Sequence, residues 1–225
     1  AEGNQTVMVV VSTPNSDCKV SLTKTVTVEY QPAPAISGDA TVCTDEVEMY
    51  STPANAGSTY AWSVTGGTIT SGNNSNQITV MWTNAGNQQV TVTETNASGN
   101  CFATATLDVT VSETPATTEI TRIDGGNVNH ACEGYTYEYG TDTPNPGNYE
   151  FAWTVTGGEF VGGVDNTATV DVKWTQTGNN TLVVTVTTPN TDCDVTITQN
   201  VSVTPTPQPN IDGATVACIN KDHVY

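Results

Sequence analysis

Basic side chains are almost absent from this sequence. Lysine and arginine together number 5 against 23 aspartates and glutamates, a formal net charge of −18 that is spread along the chain. With no cationic stripe to neutralise phosphates, nucleic acid is excluded as a partner. Histidine is nearly as scarce, with only His130 and His223. There is no Gly-x-Ser-x-Gly, no His-Glu-x-x-His, no phosphate-cradling glycine loop and no cysteine–histidine pair in a nucleophile's context, so the chain reads as non-enzymatic. His130, in the polar stretch NVNHAC, reads as an exposed bystander, and His223 carries no argument.

Long apolar runs are missing as well. None approaches the length of a transmembrane segment, and residue 1 does not open a signal peptide. No window places Leu, Ala, Glu and Lys at a helical period. Cys-x-x-Cys spacing is absent from the six cysteines, which argues against zinc and redox motifs and for disulfides in an exported protein. An extracellular, cell-surface location is the expectation.

The dispersed negative charge is read as a source of solubility and mutual repulsion, with cation binding as the alternative. Calcium needs about six or more converging oxygen ligands. The nearest clusters are Asp45 with Glu46 and Glu48, Asp124 with Asn127 and Asn129, and Asp192 with Asp194. Each reads as turn chemistry or a solvated strand face. No cofactor is assigned, and calcium stays open as the alternative.

What is plentiful is Thr, Val, Asn, Gly and Ser, the composition of an all-β protein. The chain also repeats itself. Gly3, Pro14, Cys18, Ile36, Gly38 and Cys43 recur 175 positions later, and GNQTVMVVVSTPNSDC returns as GNNTLVVTVTTPNTDC. A looser third copy, GNQQVTVTETNASGNC, lies between them and ends at Cys101. Trp62 and Trp153 are 91 apart, Trp82 and Trp174 are 92 apart, and Cys43, Cys132 and Cys218 each precede a tyrosine (Tyr50, Tyr139, Tyr225) by seven residues. A period of this length suits a self-contained β-sandwich rather than a solenoid unit.

The phase of the repeat predicts a C-terminal part of one unit at 1–31, complete units at 32–113 and 114–204, and the N-terminal part of a further unit at 205–225. The parent protein is expected to be longer. Within a unit, EVEMYS, TYAWSVT, QITVMW, NQQVTVTET and FATATLDVTV read as strands separated by Gly, Asn, Pro and Ser turns. Trp62, Val64, Ile78, Val80, Trp82, Val90 and Val92 share the parity of inward faces. The expected core is Trp62, Trp82, Trp153 and Trp174 with Tyr50 and Tyr139. TGG after each first tryptophan strand reads as a tight hairpin turn. The proline-rich segments YQPAPAISG and TPTPQPNIDG read as stiff connectors. The middle junction is longer, with 31 residues from Cys101 to Cys132 against 25 from Cys18 to Cys43, and predicts a different joint.

The order VC, Tyr, Y-x-W-x-V-x-G-G, I-x-V-x-W, G-N-x-x-V-x-V, N-x-x-G-x-C resembles the PKD-like, immunoglobulin-like repeats of very large Bacteroidetes surface proteins, among them the gliding-motility adhesin SprB and similar type 9-secreted adhesins. The third unit departs from it with TVTTPNTDC and with the insert TDTPNPGNYEF. The resemblance implies tandem immunoglobulin-like sandwiches in an extended array, exported through type 9 secretion and displayed outside the outer membrane. It supplies no ligand.

With two cysteines per unit, the simplest pairing is Cys43 with Cys101 and Cys132 with Cys193, leaving Cys18 and Cys218 to partners outside the chain. Each such loop closure would stabilise a unit by roughly 3–4 kcal/mol. Standard immunoglobulin-like topology would set these partners at opposite ends of a domain, beyond the ~7 Å Cα separation a bridge allows. The competing arrangement crosses between units, for example Cys43 with Cys193.

The leading functional expectation is a structural or adhesive segment of a long extracellular filament or stalk. Its partners would be neighbouring repeats of the same polypeptide, with surface glycans or other surface proteins beyond them. The alternatives are a glycan-binding module using Trp82 or Trp174 as an outward platform, and an accessory domain of a secreted multidomain enzyme.

Overall fold

The computed structural model describes residues 2–163, 166–213 and 219. The chain divides into two units, Ala1–Thr114 and Pro115–Tyr225. Strand structure dominates because the sequence alternates apolar and polar residues over short runs that glycine, asparagine and proline interrupt.

The first unit opens with a hairpin. Strand β1 (Gly3–Ser12) pairs antiparallel with β2 (Lys19–Val28), in register from Gly3↔Val28 to Ser12↔Lys19. A seven-stranded sandwich follows, made of β3 (Thr41–Cys43), β4 (Val47–Ser51), β5 (Thr59–Val64), β6 (Gly67–Ser71), β7 (Gln77–Trp82), β8 (Gly86–Thr95) and β9 (Phe102–Ser112). One sheet has the order β3-β9-β8-β5 and the other β4-β7-β6. All pairs are antiparallel except β3–β9, where the first strand joins the last in parallel. This is the strand order of an immunoglobulin-like sandwich.

The second unit repeats the plan with β10 (Ile120–Arg122), β11 (His130–Cys132), β12 (Thr136–Thr141), β13 (Glu150–Val155), β14 (Gly158–Phe160), β15 (Thr169–Trp174), β16 (Gly178–Thr187) and β17 (Asp194–Thr204). Its sheets run β11-β17-β16-β13 and β10-β12-β15-β14. The extra edge strand β10 corresponds to a single bridge, Ser37↔Ser51, in the first unit.

Each core is built on a tyrosine and a tryptophan from the sheet that holds no first-to-last pair. In the first sandwich Tyr50 and Trp82 are fully buried and meet edge to face, with centroids 6.1 Å apart at 88°. In the second, Tyr139 and Trp174 repeat this at 6.1 Å and 85°. Trp62 and Trp153 close the cores from the opposite sheets, and their indole N–H groups donate to the carbonyls of Ser75 (2.8 Å) and Thr167 (2.9 Å). Burying one such indole contributes about 4–6 kcal/mol at ~25 cal/mol per Å².

Two sequence expectations change here. TGG is not a hairpin turn, because β5 and β6 lie in different sheets, as do β13 and β14. The turn carries the chain across the sandwich, with Gly66 and Gly157 at φ +65° and +68°. Each presents its carbonyl to the residues that follow the second tryptophan, Thr83 and Asn84 in one unit and Thr175 and Gln176 in the other. His130 is not in a turn either; it is exposed at the start of β11, paired with Ser202.

The β1–β2 hairpin carries the sequence of β16–β17 in the same register, since Gly178↔Val203 matches Gly3↔Val28. Leu182, Val184 and Val186 are fully buried in β16, whereas Val7, Val9 and Val11 in β1 are 56%, 52% and 60% exposed.

Candidate functional site

The cysteines depart from the simplest pairing. Cys43 and Cys193 are each disulfide-bonded, whereas Cys18, Cys101 and Cys132 are free thiols. The expected pairs Cys43 with Cys101 and Cys132 with Cys193 therefore do not form. Register supplies the reason. Cys43 lies beside Ser112 at the end of β9, while Cys101 precedes the start of the same strand. The eleven residue steps from 101 to 112 span about 36 Å of strand. Cys132 lies beside Thr204 at the end of β17, and Cys193 immediately precedes the start of that strand, so the same interval separates them. Cys18 is exposed at the β1–β2 turn; Cys218, like His223, lies outside the described residues.

Trp82 and Trp174 have no exposed surface, so neither can be an outward sugar platform. The acidic clusters have local duties. Glu46 accepts the backbone N–H of Cys43 at 3.1 Å, and Asp45 takes a left-handed φ of +66° in the turn before β4. Glu48 is held above the usual carboxylate range by partial burial and by the nearby charges of Asp39 and Glu46. Asp124 accepts from Arg122 Nε at 2.9 Å and from the Gly126 N–H at 2.9 Å, and the guanidinium holds its carboxyl below the ordinary value. Arg122 also lies 4.1 Å over the Tyr137 ring. Asn127 Oδ1 accepts from the Asn129 N–H, and Asn129 Oδ1 from Gln199 Nε2. Asp192 and Asp194 are exposed.

A strongly atypical polar group lies elsewhere, at the end of the first sandwich formed by the β4–β5 and β8–β9 loops. Glu94, on the inward face of β8, is fully buried. Its Oε1 accepts Asn55 Nδ2 at 2.8 Å, and its Oε2 has no hydrogen-bond partner among the described residues. The Tyr60 hydroxyl accepts the Asn55 N–H at 2.8 Å and donates to the Pro53 carbonyl at 3.2 Å, which fixes the loop that carries Asn55.

Beside this network the segment leaving β2 is clasped by the β8–β9 loop. Asn96 Nδ2 donates to the Tyr30 carbonyl at 3.0 Å, and Asn100 Nδ2 reaches both oxygens of Glu29 at 3.0 and 3.1 Å. Ser98 Oγ donates to Glu29 Oε2. These donors hold the Glu29 carboxyl below its ordinary value, Ser98 and Asn100 contributing most. Between clasp and loops runs an open groove of about 520 Å³, lined by Tyr30, Asn55, Ser58 and Asn96 among others.

Motif reading missed these residues because none belongs to a known constellation, but the repeat contains the signal. Tyr60 and Glu94 stand opposite each other across β5 and β8, and the same pair of positions in the second unit holds Phe151 and Val186. A polar cross-strand pair in one copy is apolar in the other.

A seven-stranded sandwich closed by a Tyr–Trp pair, with its first strand parallel to its last, matches a described family. Residues 29–111 match the PKD-like domain. No curated protein is similar in sequence at a significant level. Among solved structures, the chain is similar to a SusE-like surface-located polysaccharide-binding protein from the Bacteroides thetaiotaomicron heparin utilisation locus (15% identity over 80% of this chain and 35% of that one, TM-score 0.35). It is also similar to the D0-D1 domain of intimin (19% identity, 75% and 97% covered, TM-score 0.26). An endo-fucoidan hydrolase of glycoside hydrolase family 107 is a third (14% identity, 92% and 35% covered, TM-score 0.27), and the chain spans about a third of its length. With TM-scores this low, none of the three bears on what this chain binds or does.

Proposed function

We propose that the chain is a structural and adhesive segment of a longer extracellular repeat protein, with PKD-like sandwiches at 32–113 and 114–204 and parts of neighbouring units at 1–31 and 205–225. The observation that carries this reading is the duplication of the core. Two sandwiches reproduce the Tyr–Trp contact at 6.1 Å while their surfaces differ. Physical demand is thus placed on a stable, repeatable module rather than on one reactive site. On this reading the chain is non-catalytic and needs no cofactor, its partners are adjoining repeats, and it stands on the cell surface in the manner of type 9-secreted gliding adhesins. The disulfide-bonded cysteines support an oxidising compartment.

Stretching single molecules in reducing buffer tests the mechanical role. Two discrete unfolding events are expected, each releasing about 300 Å of chain at ~3.5 Å per residue. Smooth extension without such events removes the stalk reading. Protease treatment of intact cells tests the location: loss of the protein is expected, and full protection overturns surface display.

A further inference from the structure

Glu94 is a buried carboxylate that the fold does not need. The second sandwich builds the same core with Val186 at this position, and β1 carries Val11 there. A buried carboxyl group with an unmet oxygen is destabilising relative to a packed apolar side chain. Tyr60, its cross-strand neighbour, accompanies it and is apolar in the other unit, as Phe151; the Tyr60 hydroxyl holds the loop that carries Asn55. A polar network kept at a cost in stability, in one copy only, and placed under a groove marks a functional site.

The chemistry of the groove selects its ligand. One N–H of Asn55 Nδ2 is committed to Glu94, which fixes the amide, and Asn55, with Oδ1 as its acceptor, lines the groove. Glu29 and Glu2 add carboxylates, and no lysine or arginine is among the lining residues described. Acceptors and negative charge reject sulfated, phosphorylated and uronate ligands. The Tyr30 ring, on a residue 42% exposed, offers a flat apolar face at the same groove. A hydroxyl-rich ring without charge satisfies both demands, its hydroxyls donating to the amide and carboxylates while a C–H face covers the aromatic ring.

We propose that this groove, at the loop end of the first sandwich, binds an uncharged saccharide, with Tyr30 as the stacking face and Asn55, oriented by Glu94, as the selective acceptor. The site is independent of the stalk reading, since it rests on differences between the repeats and not on their number.

The test is a titration of the ¹⁵N-labelled 225-residue chain. A panel of neutral oligosaccharides (gluco-, galacto- and manno-configured) is added in one arm, sulfated and uronate oligosaccharides in a second, and calcium chloride in a third. A neutral saccharide is expected to shift the amides of Tyr30, Asn55 and Asn96, with Tyr30→Ala and Asn55→Ala each weakening binding at least tenfold. Glu94→Val is expected to weaken binding while raising the thermal midpoint, a combination that a merely structural residue would not give. Shifts with calcium or anionic sugars alone, no response to any neutral saccharide, wild-type affinity in both alanine variants, or a lowered midpoint in Glu94→Val would each overturn the proposal.

Discussion

Single residues set both the stability of the sandwiches and their distinctness. Trp82 is fully buried against Tyr50, and its replacement by alanine opens a cavity that a rigid two-sheet core cannot close. Trp82→Ala should cost about 3–5 kcal/mol in urea denaturation, and a loss below 1 kcal/mol would show that the core repacks. Tyr50 predicts a pH response. Burial pushes its phenol up to about 12, from an ordinary value of 10.0. The folded state thus holds the proton more tightly than the unfolded chain, so this contribution is intact below pH 10 and is lost as pH rises toward 12. Urea midpoints should fall across that window, and more shallowly in Tyr50→Phe, which has no proton to lose. An equal fall in both proteins would assign the effect elsewhere. At this scale much was legible in the sequence. The parity of Ile78, Val80 and Trp82 marks an inward face because a strand has period two. Glu94 was not legible from the same rule, which places it inward with Val90 and Val92 without saying what would satisfy its carboxyl group.

Elements show where local pattern stops being sufficient. The longer strands β7, β8 and β9 are announced by alternation, but β3 and β6 are three and five residues of ordinary composition. They are strands because β9 and β7 offer them unpaired backbone groups. The same dependence decides the sheet-crossing turns. Gly157 combines a φ of +68° with an added Cβ that would lie 1.9 Å from Asn180 Oδ1, on a side chain that is 7% exposed. Gly157→Ala should therefore cost about 1–3 kcal/mol, measured by thermal or urea unfolding, and a neutral substitution would mean that the turn reforms. Register also settles the cysteines. Alkylation without reduction should label Cys18, Cys101 and Cys132, with Cys43 and Cys193 reacting only after reduction. Recovery of a Cys43–Cys101 crosslinked peptide would contradict the parallel pairing of β3 with β9.

Across the whole molecule, charge acts as a field rather than as contacts. Against a net charge of −18, the described residues hold two ion pairs, Arg122–Asp124 and Lys173–Glu159. Screening should relieve more repulsion than attraction, so raising sodium chloride from about 0.02 to about 0.5 M is expected to raise the urea midpoint; a fall would mean that a few favourable pairs outweigh the bulk. The sequence by itself determined the class of strand-built module, its duplication and most inward-facing side chains. These depend on period-two alternation and on repetition, both of which are local and additive. Only the tertiary structure decided which cysteines carry a disulfide, that TGG crosses between sheets, that Trp82 and Trp174 are closed to ligands, and that Glu94 sits buried beneath a groove. Each of these depends on which strand lies beside which, and on residues far apart in the chain, for which a linear pattern carries no distance.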